Sequence, residues 1–204
     1  RVFRVAMTDL HLTSILPGML RTIGASAKEV RIQAEPMAMG RFSKRVSTGE
    51  IDLAVGFLLR AAEDVVVETL FVDDFVCLVR RGHPLARKKR ITLDAFTRHW
   101  HLANTPVGYV PQAMAGTGHL FGAMTRIRAS LPYLLSVPAM VRETDLVATV
   151  PRRLLRAPID LAEIAVLEAP AELPEVAHSM WWRPHFDRDP AHLWLRALVR
   201  AAFV

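Results

Sequence analysis

The 204-residue chain has one cysteine, Cys77, so no internal disulfide can form. That usage fits a reducing, cytosolic setting. Lysine is scarce as well: 22 arginines against 4 lysines carry the net charge of +6. Aromatic residues make up only 7%. No basic run is interleaved with them, as a single-strand nucleic-acid binder requires. The charge therefore reads as a solvated surface, with weak attraction to anions or nucleic acid as the alternative. No apolar run reaches the roughly 18–20 residues of a membrane span. No charged segment followed by a long apolar stretch opens the chain, so no signal peptide is expected. G-x-S-x-G, H-E-x-x-H, C-x-x-C and phosphate-loop patterns are all missing, which leaves no legible nucleophile–base or metal chemistry.

What is present is about one half apolar residues, enough for a sizeable core. The organising stretch is Gly49-Glu50-Ile51-Asp52-Leu53-Ala54-Val55-Gly56. Its apolar residues alternate and glycine stands at both ends, so it reads as a strand entered from a helix C-cap. Before it, Val2–Met7 reads as a strand and Thr8–His11 as a loop. Thr13 or Ser14 is expected to cap a helix to about Ala25, with Pro17 tolerated only near its first turn. Val30–Ala34 is a second strand, and a second helix is expected over 38–48. The β-α-β-α-β order predicts a doubly wound sheet with its ligand edge at the carboxyl ends of the strands.

Further on, strand-like runs lie at 65–70, 75–79, 100–103, 127–131, 145–150, 164–167 and 176–182. Asp73-Asp74 breaks the run between the first two. A helix is expected from Thr92, a second over 133–142 strained by Pro138, and a short one opened by Pro151. A further helix, interrupted by Gly116 and Gly118, is expected over 112–124. Asp189-Pro190 reads as the N-cap and first turn of a last helix. The expected fold class is α/β, two lobes joined by crossover strands near 70–79 and 174–182.

Several ordered motifs resemble the effector-binding domain of LysR-type transcriptional regulators. They are Leu16-Pro17, the 49–56 block, Leu70-Phe71 with Phe75-Val76-Cys77, His83-Pro84-Leu85, the 143–154 block and the 189–196 block. Ala6-Met7-Thr8-Asp9 and the 144–153 block are similar to the branch that senses aromatic acids, such as the salicylate-responsive regulators. Residues 104–125 depart from the pattern. The resemblance implies a periplasmic-binding-protein-like fold (type 2). A discontinuous first lobe would comprise 1–72 plus 180–204, and a second lobe 73–179. It also implies a winged helix-turn-helix in the intact protein, outside this chain, so that promoter DNA is met only through that module. Homodimers or homotetramers are implied, in the cytoplasm, with no cofactor.

Candidate ligand contacts follow from the expected sheet edge and the resemblance. Thr8 and Asp9 precede the first helix, and Pro36 and Met37 precede the second. Backbone N–H groups there favour an anion or polar atom; the alternative is simple capping. Thr8 adds a hydroxyl donor, whereas Asp9, if ionised, would repel an acid unless turned away or paired. Gly56 and Phe57 end the third strand, and Phe57 can stack a ring. Asp73 lies on the first crossover, as a pocket residue or a hinge charge. Asn104 and Tyr109 would contribute from the second lobe. Cys77 in an apolar run reads as an inert thiol. His99-x-His101 lacks further metal ligands. At most one of Trp181 and Trp182 can face a ligand, since neighbours in a strand point opposite ways, and packing is the expected role for both.

The reading is a sensor of a small organic acid, aromatic in the branch it resembles, bound between the lobes. It is not an enzyme. The rival is a secreted solute-binding protein of the same fold; an enzyme using Asp9, Asp73 or His119 is the third option.

Overall fold

The computed structural model describes residues 1–37, 42–57, 64–104 and 126–203. The chain divides into two compact units: Arg1–Val72 with Ala177–Val204, and Asp73–Val176.

The first unit contains strands β1 (Val2–Met7), β2 (Arg31–Pro36), β3 (Leu53–Phe57), β4 (Val66–Asp73) and most of β10 (Val176–Trp182). Their order in the sheet is β2-β1-β3-β10-β4. β1 pairs in parallel with both β2 and β3, while β10 runs antiparallel to β3. β3 is Leu-Ala-Val-Gly-Phe, apolar on both faces and buried through Gly56, as a central strand covered on both sides must be. β2 is the sheet edge and carries Arg31 and Glu35, charges that suit a strand with one open side.

The chain goes from β1 to β2 on one side and returns past β1 to β3. Right-handed crossovers then put the connecting helices on opposite faces of the sheet. Two cores result. Phe3, Val5 and Met7 pack with Met19 and Ile23 of helix α2 (Leu16–Ser26) and with Leu195 and Val199 of the last helix. On the other face, Ala6, Ala54 and Trp181 pack with Val46 of helix α3 (Phe42–Ser47) and with Ile51. Trp182 belongs to the first core and Trp181 to the second, so alternation sends both tryptophans into packing.

The helical region after β1 differs from the sequence expectation. The Thr8–His11 stretch is not a loop: helix α1 (Asp9–Ser14) starts at once, and α2 follows after Ile15. Thr13 and Ser14 cap nothing; their hydroxyls donate back to the carbonyls of Asp9 and Leu10. Pro17 has no N–H for the carbonyl of Thr13, so the chain must break there and restart with proline in the first turn. The third strand is also shorter than expected. Gly49 has φ 78°, the left-handed conformation that ends a helix, but Glu50–Asp52 turn the chain before β3 begins at Leu53.

The second unit holds β5 (Phe75–Arg80), β6 (Trp100–Asn104), β7 (Arg126–Leu131), β8 (Val147–Pro151) and β9 (Ile164–Glu168) in the order β7-β6-β8-β5-β9. Helix α4 (Leu93–Arg98) is capped by the Thr92 hydroxyl, which accepts from the Ala95 N–H. Cys77, Val79, Phe96, Val147 and Leu167 form its core. Pro138 does not strain a long helix. A short 3-10 turn (Leu134–Ser136) precedes α5 (Val137–Arg142), and proline sits in the first turn of the latter. Pro151 ends β8 rather than opening a helix, and the 3-10 turn Arg152–Arg156 follows it. The helix expected over 112–124 lies outside the described residues.

The last helix, α6 (Pro190–Ala202), starts where expected. The Asp189 carboxylate accepts from the N–H groups of Ala191 and His192 and pairs with Arg1 at 2.9 Å. The Arg1 bond, foremost, holds that carboxyl down at about 2.

Three histidines are folded in as neutral rings. His101 donates to the Phe96 carbonyl at 2.7 Å and His192 to the Asp52 carbonyl at 2.9 Å. His83 accepts the Leu85 N–H at 3.1 Å. Burial, the largest influence on each, pushes all three below their ordinary value of 6.5. The unfolded chain therefore binds more protons than the folded one once pH drops below about 6.5, and stability must fall as pH falls. The melting temperature should be level from about pH 8 to 7 and decline between about pH 6.5 and 5, above the carboxylate range. A flat or rising melting temperature on going down that window would contradict the assignment.

Candidate functional site

Three parallel strands point the same way, so whatever follows each of them emerges at one edge. Thr8 follows β1, Met37 follows β2 and Phe57 ends β3. Backbone bonds tie these exits together: the Met37 N–H donates to the Met7 carbonyl at 3.0 Å, and the Thr8 N–H to the Val55 carbonyl at 3.4 Å. β10 runs the other way, so its beginning reaches the same edge, and His178 lies opposite Phe57 in the register.

Gly56 shows how close the approach is. A Cβ built there would lie 2.6 Å from the Met37 sulfur and 3.2 Å from the Thr8 methyl. The missing side chain lets Thr8 and Met37 lie this close over the strand end. Pro36 ends β2 opposite Met7 in the register. Thr8, Pro36, Met37, Gly56 and Phe57 are thus gathered at one edge of the first unit. Asp9 is half-buried in the first turn of α1. That helix has six residues, so its dipole is small and the threonine hydroxyl is the main polar feature.

Sequence reasoning missed what the Thr8 hydroxyl does. Thr8 occupies the N-cap position of α1, yet its side chain makes no capping bond. Its Oγ1 lies instead 2.6 Å from Nδ1 of His11. Nε2 of His11 lies 2.9 Å from Nδ1 of His178. Both rings are fully buried. Three phenylalanines surround them. Phe71 stacks on His178 with centroids 4.2 Å apart, and Phe57 and Phe203 lie 6.1 and 5.8 Å from His11. His11 sits three residues after Thr8, nearly one helical turn, so that contact was accessible from a helix starting at Asp9. No sequence signal points to His178, 167 residues further on.

The remaining candidates have other surroundings. Asp73 accepts the N–H groups of Asp74 at 3.0 Å and Arg153 at 2.8 Å, which shapes the chain between β4 and β5 and the start of the following 3-10 turn. Asn104 donates its side-chain amide to the Leu131 carbonyl at 3.2 Å, within the second unit. Tyr109 and His119 lie outside the described residues. Cys77 is buried in β5, where desolvation pushes its thiol up to about 12, beyond any nucleophilic use near neutral pH. His99 lies tilted against His83 with ring centroids 5.0 Å apart, and among the described residues no group of three or more His, Cys, Asp or Glu is placed to hold a metal ion.

The hydroxyl of Thr8, the thioether of Met37 and the ring of Phe57 at this strand edge make up the candidate site, at the place in an α/β sheet where ligands bind. Residues 1–204 match the LysR substrate binding domain, and the chain belongs to that family. It is 31% identical over 207 residues to the HTH-type transcriptional activator NahR of Pseudomonas putida, covering 98% of this chain and 66% of that protein. Identity to the HTH-type transcriptional activator NagR of a Ralstonia species is 28% over 204 residues, covering 100% and 67%. The chain therefore spans about two thirds of the length of these curated relatives. In solved structures, the regulatory domain of MexT, a transcriptional activator in Pseudomonas aeruginosa, superposes with a TM-score of 0.78 at 22% identity, both chains covered in full. The effector binding domain of a BenM variant gives 0.78 at 15% identity, covering 99% and 94%. These likenesses establish the periplasmic-binding-protein-like fold.

Replacing Gly56 by alanine tests the crowding. The nearest atom, the Met37 sulfur, ends a flexible side chain and can move, so folding should survive with a loss of about 1 kcal/mol or less. Met37 should be displaced, visible as a shift of its methyl resonance in an NMR spectrum. An unshifted methyl with an unchanged melting temperature would show that Gly56 is not under contact.

Proposed function

We propose that this chain is the effector-sensing part of a LysR-type transcriptional regulator and that the effector is a small organic acid, aromatic for preference. The observation that carries the reading is the gathering of Thr8, Met37 and Phe57 at one strand edge, a hydroxyl beside two apolar walls. Thr8 donates to the acid's oxygen, while Met37 and Phe57 flank its ring, with Pro36, Gly56 and the Asp9 backbone shaping the floor. Asp73, Asn104 and Tyr109 remain contributors from the other unit in this reading. The curated relatives are transcriptional activators, so in this reading the ligand is bound and not transformed. The intact regulator meets promoter DNA through a separate module, works in the cytoplasm, and acts as a homodimer or homotetramer. The ligand shifts the regulator only through its different affinity for two states. A solute-binding protein of the same fold is the weaker reading, because the relatives named above are transcriptional activators.

Isothermal titration with benzoate, salicylate and succinate tests the ligand class. Thr8→Val keeps the shape and removes one hydrogen bond, so affinity for benzoate should drop by about 0.5–1.5 kcal/mol, or up to about 3 if the bond is to the charged carboxylate. Phe57→Ala should weaken benzoate more than succinate. Equal losses for both acids, or binding untouched by either substitution, would remove the site from consideration.

Self-association is expected through α2, where Leu20 is exposed and Arg21 is the sole charged residue. Sedimentation should show dimers at high micromolar concentration, and Leu20→Asp should shift them toward monomer. A monomer for the unaltered chain would count against this surface.

A further inference from the structure

The Thr8–His11–His178 chain is more than packing, because its two contacts are linked through one ring. We infer that this relay sets the direction of the Thr8 hydroxyl and makes the site selective for a ligand oxygen that accepts a hydrogen bond. His11 and His178 are positioning residues in this scheme: they act on the ligand through Thr8. The inference rests on the proposed acid-binding role of the strand edge and specifies how that edge recognises its ligand.

The number of protons on the two rings limits how the chain can be bonded. A nitrogen-to-nitrogen contact of 2.9 Å between His11 and His178 requires one proton between the two atoms, carried by one or the other. The 2.6 Å contact between Thr8 Oγ1 and His11 Nδ1 likewise holds one proton. With both rings neutral, His11 bears a single proton, so it donates at one end and accepts at the other.

Only two patterns satisfy both contacts. In the inward pattern Thr8 donates to His11 Nδ1, His11 Nε2–H donates to His178 Nδ1, and Thr8 offers a ligand only lone pairs. In the outward pattern His178 Nδ1–H donates to His11 Nε2, His11 Nδ1–H donates to Thr8, and the Thr8 proton is released for the ligand. The two patterns hold the same number of protons. Interconversion takes up one proton at the Thr8 hydroxyl and gives one up at the far nitrogen of His178, an exchange that occurs when the first unit opens locally.

A carboxylate has no proton to give and requires the outward pattern. Burial makes this a strict choice, because water does not reach the rings to satisfy a wrongly pointed group. Phe71 stacked on His178 and Phe57 and Phe203 against His11 hold the rings in place, so the pattern cannot be evaded by rotation. His178 is the second residue after the chain re-enters the first unit, so the relay joins the ligand contact to that returning strand.

Nitrogen-15 spectra of histidine-labelled protein, free and saturated with benzoate, test the relay. With benzoate, both His11 and His178 should be protonated at Nδ1 alone, with a scalar coupling across the hydrogen bond between the rings. Protonation of His11 at Nε2 alone, or at both nitrogens, would overturn the proposal; the second result would make His11 a fixed charge. His178→Phe keeps a ring against Phe71 and removes the donor. Benzoate affinity should then fall about tenfold or more, with benzyl alcohol, which can itself donate, changed less than about threefold. His178→Asn keeps an N–H where Nδ1 stood and should restore benzoate binding to within about threefold. Parallel losses for benzoate and benzyl alcohol, or no rescue by asparagine, would assign the ring a purely structural role. If neither benzoate nor salicylate binds the unaltered chain, the aromatic-acid reading falls. The relay is then judged in the free protein, where loss of the coupling between the rings would overturn it.

Discussion

The parallel pairing of β3 with β1 is the constraint on which the candidate site depends. Parallel strands cannot be joined by tight turns, so each needs a helical crossover, and each crossover starts from the same edge of the sheet. β1 has a parallel neighbour on either side, and the two crossovers leave from that edge in opposite directions. Side chains just beyond β1, β2 and β3 meet there for this reason alone. The antiparallel β10 then adds a residue from its beginning, His178, to a place that three strand ends already define.

The edge is polar where the cores are not, and the separation has an energetic cause. A buried imidazole without a partner costs roughly 1–3 kcal/mol, so His11 and His178 are stable inside the first unit because they are bonded to each other and to Thr8. The Thr8 hydroxyl pointing to His11 leaves the start of α1 without a side-chain cap. A cap is worth about 1 kcal/mol, a local loss that the bond to the buried His11 ring offsets. Asp73 and Asp189 show the contrary case, carboxylates spent on backbone N–H groups that shape their surroundings.

Membership of the LysR substrate binding family, the α/β class and the assignment of both tryptophans to packing were legible because they rest on local pattern. Strand alternation separates Trp181 from Trp182 whatever the partners are, and Asp189-Pro190 starts a helix by its own chemistry. The first helix was misread because two rules competed. Thr13 and Ser14 look like caps, but Pro17 lies too close behind them, and the helix had already begun at Asp9. Gly49 ends a helix as expected, but the strand after it begins at least three residues later than expected, because Glu50–Asp52 turn the chain and pairing with β1 starts only at Leu53.

By itself the sequence determined the order of the elements, the helix and strand ends marked by Gly49, Thr92 and Asp189, and the placing of Thr8, Met37 and Phe57 after three strands. Those follow from interactions within a few residues, which a linear reading contains. Only the tertiary structure decided that His178 meets His11, that Phe71 and Phe203 close over them, and that Met37 and Thr8 lie on Gly56. These contacts join residues up to 192 positions apart, as His11 and Phe203 are. Such a pairing leaves no periodicity or spacing in the chain. It exists only once the antiparallel return of β10 has been added beside β3.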